Sequence, residues 1–483
     1  MSEARKPLDS VVIVGAGQVG VTAAIAIRRA LPACAVIVIA ETSDPRDFAD
    51  HAASAMPFSN RLLARLGIDE TQIIARAGGS HRLVQRFFGW GGSGSHGALA
   101  YGAAGLDGLS AFGRDWGGGS RSVESRPMPT SLSEVLADAG RFGVAEQGER
   151  TPLAQVEYGL RWQTPAFHAL LVNLAQQLGV TYRSDPVSQV DRDTSGNVAG
   201  VTLASGEKVE ADLCLDCSGV SRKLASKVAG QPFVSWQRFL HDRTVMIAPP
   251  GQGMLALEDR LSLTARGWLS EFAGRDGLQA MLGVADGVSP EEARASLGVE
   301  PVGTIEVTSG RLADAWTGNV IALGDAAAQF EPLGYFHLDL AHRMLDLLLE
   351  MLPGKIIAPV ERTEFNRRAG LMMDGVRDVL AFHYAAPSAQ AVFEPVEQPG
   401  SVAAMLDQFT RRGRLPFADE QPLTGATMQS LLRALGFAAG TPPQHHSGTG
   451  GPAAAARQAF EARARAALQA APPYPEWIAS QLR

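Results

Sequence analysis

The chain has 483 residues, with 43 Lys and Arg against 50 Asp and Glu and a formal net charge of −7. That length suits two or three modules around a large core, and the mildly acidic balance argues against nucleic acid as the main partner. Hydrophobic residues at 46% exclude global disorder, and three cysteines exclude a disulfide scaffold and fit a reducing compartment. The opening MSEARKPLDS has no apolar signal core, and no uncharged apolar run of about 18 residues follows. The expectation is a cytoplasmic protein with no membrane partner.

Residues 9–41 read as strand, glycine turn, helix, strand. Val11-Val12-Ile13-Val14 is a buried-type apolar run, VTAAIAIRRAL is helix-prone, and Ala35 to Ala40 (AVIVIA) is a second apolar strand ending at Glu41. This pattern opens a doubly wound α/β domain. Residues 88–120 are rich in Gly and Ser and read as a flexible surface insertion, with a mobile lid as the functional alternative. Residues 165–180 have helical periodicity, and Thr181 to Leu215 alternates like several strands around a Ser195-Gly196-Asn197 turn. Residues 231–310 look mixed, and 318–352 return to strand then helix. Thr441 to Gly451 reads as a linker, and Ala453 to Ala471 as a peripheral helix with a solvated basic face.

Gly15-x-Gly17-x-x-Gly20 stands between the first strand and its helix. Gly15 allows the tight turn, Gly17 lets a pyrophosphate approach the backbone, and Gly20 lets helix pack on strand. The helix N-terminus favours diphosphate charge, and Glu41, 21 residues beyond Gly20, is placed to accept ribose hydroxyls. Two later stretches, Ala211 to Gly219 and Gly318 to Ala327, are similar to the distal elements of FAD-dependent monooxygenases. In those proteins the Gly-Asp pair, here Gly324-Asp325, binds ribityl or ribose hydroxyls. No second GxGxxG is present for a nicotinamide cofactor, so the expected group is FAD. Val187 is placed with the cofactor residues. Cys214-x-x-Cys217 reads as structural, because no second CxxC, His pair or helix N-terminus accompanies it.

Asn60-Arg61-Leu62-Leu63-Ala64-Arg65-Leu66-Gly67-Ile68-Asp69-Glu70 is followed by Phe88-Gly89-Trp90. Then come Ser309-Gly310-Arg311, Trp316, Asn319, Glu331-Pro332-Leu333, Glu364-Phe365-Asn366-Arg367 and His383-Tyr384. From residue 10 to about 390 this ordered set resembles the flavin-dependent tryptophan halogenases. The resemblance implies FADH2 from a separate flavin reductase, a small aromatic (tryptophan- or indole-like) substrate, and a possible homodimer. It also implies a flavin C4a-hydroperoxide that halide attacks, giving hypohalous acid that passes through a tunnel to a lysine beside the substrate.

Three positions depart from the family pattern. The lysine position falls on Arg82, or on His81 if the alignment slips by one. Guanidinium stays protonated and is not nucleophilic, so a haloamine at Arg82 is not expected. The halide loop after Glu-Pro-Leu reads Gly334-Tyr335-Phe336-His337, with Tyr335 and His337 as catalytic candidates. The Trp-x-Trp-x-Ile-Pro signature is replaced by Gly267-Trp268-Leu269-Ser270-Glu271-Phe272-Ala273. Trp268, Phe272 and Glu331 are placed beside the substrate on family position alone. A monooxygenase, or a non-catalytic FAD-binding protein, is the alternative.

The expected fold is therefore α/β: an FAD-binding Rossmann-like (GR2, p-hydroxybenzoate-hydroxylase-like) domain, an inserted mixed α+β substrate domain and a helical C-terminal region. The FAD-binding domain takes 1–90, 126–230 and 313–355, with 91–125 as a Gly-rich insertion or lid. The substrate side takes 231–312 and the helical 356–440, and 441–483 is linker and peripheral helix.

Overall fold

The structure is a computed structural model and describes residues 6–102, 131–145, 151–154, 156–228, 232–440 and 451–482. Strand β1 (Ser10–Val14) is apolar and buried from Val11 onward and lies inside a sheet, as such runs do when both faces are covered. It pairs in parallel with β2 (Ala35–Ile39) on one side and Leu213–Asp216 on the other. Val320–Ala322 adds to the far side of Leu213–Asp216, and Thr181–Arg183 to the far side of β2, both parallel. An antiparallel pair, Trp316–Thr317, closes one edge of this six-stranded sheet. Helix α1 (Gln18–Ala30) crosses from β1 to β2 and buries nearly all of its residues up to Ile27.

A second, seven-stranded sheet is built around the hairpin Gly267–Gly274 and Gly277–Val284. Strand period 2 sends Trp268, Ser270 and Phe272 to the buried face, while Leu269 and Glu271 stay partly exposed. Trp268 faces Gly283 across the hairpin, and a Cβ at Gly283 would lie 2.0 Å from the indole. Only glycine admits the ring there. Val84–Phe88 joins this sheet in parallel beside Glu258–Thr264, so part of the N-terminal segment belongs to it.

Two expectations are revised. The Gly/Ser-rich stretch is not wholly a flexible insertion: His96–Ala100 is a strand paired antiparallel to Val84–Phe88, with Leu99 and Ala100 buried. Its remainder, 103–130, lies outside the described residues. The C-terminal helix is not peripheral either. Phe460, Ala464, Ala467 and Ala471 fall on one helical stripe and are buried in a cluster with Leu132, Leu136 and Phe142. Of the expected linker, 441–450 lie outside the described residues. Among the described residues, no helix is long and apolar enough to cross a membrane.

Several residues that carried the family resemblance prove to be clamps between elements. The Asn366 side chain bonds both the N–H and the C=O of Trp316, and Asn319 accepts from Val198 N–H while donating to its C=O. Gly283→Ala is expected to destabilise the protein by about 1–3 kcal/mol through overpacking against Trp268, read by denaturant unfolding.

Candidate active site

The first part of the site is the glycine turn. Gly15 has φ +107°, and a Cβ there would lie 2.0 Å from the Cys217 carbonyl oxygen. A Cβ at Gly20 would lie 1.9 Å from the Gly15 carbonyl. Helix α1 begins with Gly17 as its cap, without a capping side chain and without an acid in its first turn. Its first N–H groups therefore need an anion from elsewhere. That anion is Asp50: its Oδ1 accepts the Val19 N–H at 2.9 Å, and its Oδ2 lies 2.0 Å from where a Gly17 Cβ would be. The residue as a whole is half-buried, but its carboxylate sits deep, and burial pushes its pKa up to about 7. Gln18 holds the same segment by donating to the carbonyls of Asp50 and Ala52 at 2.6 and 2.9 Å.

The crevice continues along residues 44–50. Asp47 accepts the N–H of Val220 at 2.8 Å, and a Cβ at Gly219 would lie 1.8 Å from its carboxylate. Asp325 is buried, accepts the Ala49 N–H at 2.7 Å through Oδ2, and leaves Oδ1 without a partner. Burial pushes the Asp325 pKa well above the ordinary carboxylate value. Glu41 accepts the Val187 N–H at 2.7 Å and pairs with Lys223 at 3.1 Å. A glycine cradle already occupied by a carboxylate, with an orphaned acid oxygen further along, suits a group that is anionic at one end and hydroxylated beyond. FAD is such a group.

The same segment, 44–50, borders a cavity of about 650 Å³, whose walls include Phe48, Trp162, Phe272, Pro332, Tyr335 and His337. Tyr335 is one of three described non-glycine residues with positive φ, at +69°, and caps the helix Phe336–Glu350. Its ring lies 3.9 Å from Phe272 and 4.3 Å from the Arg82 guanidinium carbon. Its hydroxyl is buried without a partner, and burial raises its pKa well above 10. His337 stacks on Phe330 at 3.9 Å, bonds the Phe330 carbonyl at 2.9 Å, and is pushed down to about 4 by burial. Its imidazole is neutral at working pH.

The remaining candidates lie off the cavity wall. Trp268 Nε1 donates to Glu331 at 2.8 Å, and the Tyr384 hydroxyl donates to the other oxygen at 2.5 Å. Arg82 is fully buried and pairs with Asp259 at 2.7 Å. His81, one residue earlier, points into a closed box of Phe142, Tyr158, Tyr474 and Trp477, with its Nε2 2.9 Å from Glu70. The structure thus brings together Phe272, Tyr335 and His337, sets Arg82 against Tyr335, and takes His81 elsewhere. Sequence reasoning missed Asp50 and Arg161. Arg161 lines the cavity and reaches Asp259 at 2.5 Å. The available signal was an arginine inside the otherwise strand-like Gly159-Leu160-Arg161-Trp162. Cys214 and Cys217 are buried free thiols, with burial pushing Cys214 up to about 12.

Fold and crevice together define an FAD-dependent oxidoreductase. The family model "Tryptophan halogenase" matches residues 10–447, and the chain belongs to that family. It is 25% identical over 412 residues to tryptophan 7-halogenase RebH of Lentzea aerocolonigenes, covering 78% of this chain and 76% of that one. Its fold is similar to BrvH, a flavin-dependent halogenase from Brevundimonas sp. BAL3, with TM-score 0.84 at 22% identity over 98% of this chain and 99% of that one. The tryptophan halogenase structure from Shewanella frigidimarina NCIMB 400 gives TM-score 0.86 at 19% identity, over 100% of this chain and 99% of that one. FAD is the cofactor, used as FADH2 that a separate flavin reductase supplies, and the substrate is aromatic.

The Asp50 pKa is raised in the folded chain, so the folded state holds more protons than the unfolded one between about pH 4 and pH 7. Stability should therefore fall as pH rises through that window. Asp50→Asn is expected to flatten this slope in FAD-free protein, read by thermal melts at pH 5 and pH 8.

Proposed function

We propose that this enzyme halogenates an indole-type substrate, such as tryptophan or a tryptophan-containing molecule, in the cavity walled by Phe48, Trp162 and Phe272. The observation that carries the reading is adjacency. Phe48 stands on the cavity wall two residues from Asp50, which occupies the glycine cradle, so one short segment borders both cradle and cavity. Gly15, Gly17 and Gly20 hold the FAD pyrophosphate, Glu41 with the Val187 N–H holds the ribose end, and Gly324-Asp325 the ribityl hydroxyls. Residues 1–90 apart from Val84–Phe88, with 126–230 and 313–355, supply this cofactor-binding part, and 231–312 with 356–440 the substrate side. Bound reduced FAD, with O2 and halide, supplies the halogen electrophile.

The chain's own residues then orient and protect. Phe48, Trp162 and Phe272 stack against the aromatic ring and exclude water, which would otherwise consume the electrophile. Tyr335 stays protonated and presents its O–H as a donor. His337 is neutral and fixes the Phe330 carbonyl, which sets the loop before its helix. Arg82 remains a cation that donates hydrogen bonds but forms no N–halogen bond. Glu331 is a positioning residue: the N–H of Trp268 and the O–H of Tyr384 hold it, and through it the loop 331–337.

Full-length protein given FAD, a flavin reductase, NADH, O2 and bromide should convert a member of a panel of tryptophan, indole and tryptophan-containing peptides to a product with a bromine isotope doublet. A product heavier by one oxygen and lacking bromine would overturn the reading in favour of oxygenation. No product, with reduced flavin consumed no faster than in protein-free controls, would also overturn it. Because Asp50 and the pyrophosphate compete for the same N–H groups, Asp50→Ala is expected to lower the Kd for FAD several-fold, measured by flavin fluorescence quenching.

A further inference from the structure

We propose that Arg82 and Arg161, with the hydroxyls of Ser80 and Tyr335, form a binding site for one small monovalent anion, a free halide or a carboxylate of the substrate. The local strand pairing builds the site. Ser80 stands opposite Arg161, and Arg82 opposite Gly159. Opposed residues and residues two apart share a face, so Ser80, Arg82 and Arg161 project together. Gly159 supplies the space: a Cβ there would lie 2.6 Å from Arg82 Nε.

The charges do not balance. Both guanidiniums share the carboxylate of Asp259, at 2.7 Å from Arg82 and 2.5 Å from Arg161. Arg82, Arg161 and Asp259 are all buried, at 0%, 4% and 1% exposure. Burial opposes the Arg82 charge, yet the Asp259 carboxylate beside it offsets that cost, so it stays a cation. Tyr335 stays neutral, so it adds no negative charge. Two cations and one anion leave a net charge of +1 among almost wholly buried side chains, which is unfavourable unless a counter-anion binds.

The donors for that anion are present and idle. Arg82 Nε and Nη2, Arg161 Nε, Ser80 Oγ and the Tyr335 hydroxyl are buried without hydrogen-bond partners. Natural proteins rarely leave so many buried donors unmatched in one place. Access is open, because Ser80, Arg161 and Tyr335 all line the cavity. Several donors around one net positive charge suit a spherical halide. A carboxylate shares the same chemistry. A halide as the natural ligand rests on the proposed halogenation; the site itself does not, and the titration separates the two sources.

Full-length protein, with and without FAD, is titrated with bromide and the 81Br NMR linewidth is followed. Saturable broadening displaced by chloride is expected. Tyr335→Phe and Ser80→Ala, which remove only a hydroxyl, should weaken binding a few-fold, and Arg161→Met by about tenfold or more. Arg161→Lys should recover part of the loss. Crystals soaked in bromide should show an anomalous peak between Arg161 and Tyr335. No saturable broadening, or broadening unchanged in an Arg161→Met protein that still melts cooperatively, would refute the site. Broadening that acetate displaces more effectively than chloride would assign the site to a substrate carboxylate rather than to halide. Bromide binding without any brominated product would sink the halogenation reading instead, and leave the anion site standing.

Discussion

Glu331 ties the molecule together. Its carboxylate takes the indole N–H of Trp268 from the seven-stranded sheet and the hydroxyl of Tyr384 from the helix Pro359–Ala385. Its own loop leads into Phe336–Glu350, the helix that packs on α1 beside the six-stranded sheet. Three bodies thus meet on one buried acid. Burial drives the Glu331 pKa up, while Arg243, with Nε at 3.8 Å, pulls it back down. Hydrogen bonds to such a group are shorter and stronger than neutral ones, and losing one partner leaves a buried acceptor unmet. The loop 331–337 is consequently fixed from both sides. That rigidity lets Tyr335 persist at φ +69°, a conformation that surroundings must impose on a residue with a side chain.

The cradle obeys a related constraint. A helix N-terminus lined with glycine attracts whatever anion is nearest, and here the chain carries its own on the segment after β2. Asp50 on Val19 N–H, Asp47 on Val220 N–H and Asp325 on Ala49 N–H seat three carboxylates along one crevice. Each is desolvated and each has a raised pKa. Protonating one of them removes a charge from the crevice, whereas a bound phosphate adds charge and needs one of them displaced or neutralised. Cofactor affinity and pH are therefore coupled through residues 44–50.

The turn Gly15 to Gly20 and its flanking strands were legible because their signals are local: an apolar run, glycines at fixed spacing, a helix-forming stretch. The ordered motif set placed the family over most of the chain for the same reason. What escaped depends on pairing between distant segments. Nothing near Arg161 announces that it will lie opposite Ser80, and nothing near Asp50 announces Gly17. The choice between His81 and Arg82 shows the limit most clearly. Neighbouring residues on a strand point to opposite faces, so a one-residue shift in alignment moves the side chain across the sheet. The strand Ser80–Arg82 settles which faces which: His81 enters the aromatic box and Arg82 meets Tyr335. The apolar stripe on the C-terminal helix was present in sequence, but its alanines gave too weak a contrast to distinguish a packed face from a solvated one.

The chemistry of Arg82 limits what the pocket is able to do. A lysine exchanges its proton when buried and has a lone pair to offer once it does; a guanidinium keeps its charge and offers only donors. Arg82 also spends one donor on Asp259 and sits over the Tyr335 ring. Arg161 reaches the same carboxylate from the opposing strand. A pair built this way holds a permanent positive potential rather than a switchable nucleophile. Any electrophile that reaches it meets hydrogen-bond donors in a fixed fork, so selectivity in the cavity must come from geometry and field and not from a covalent relay through Arg82.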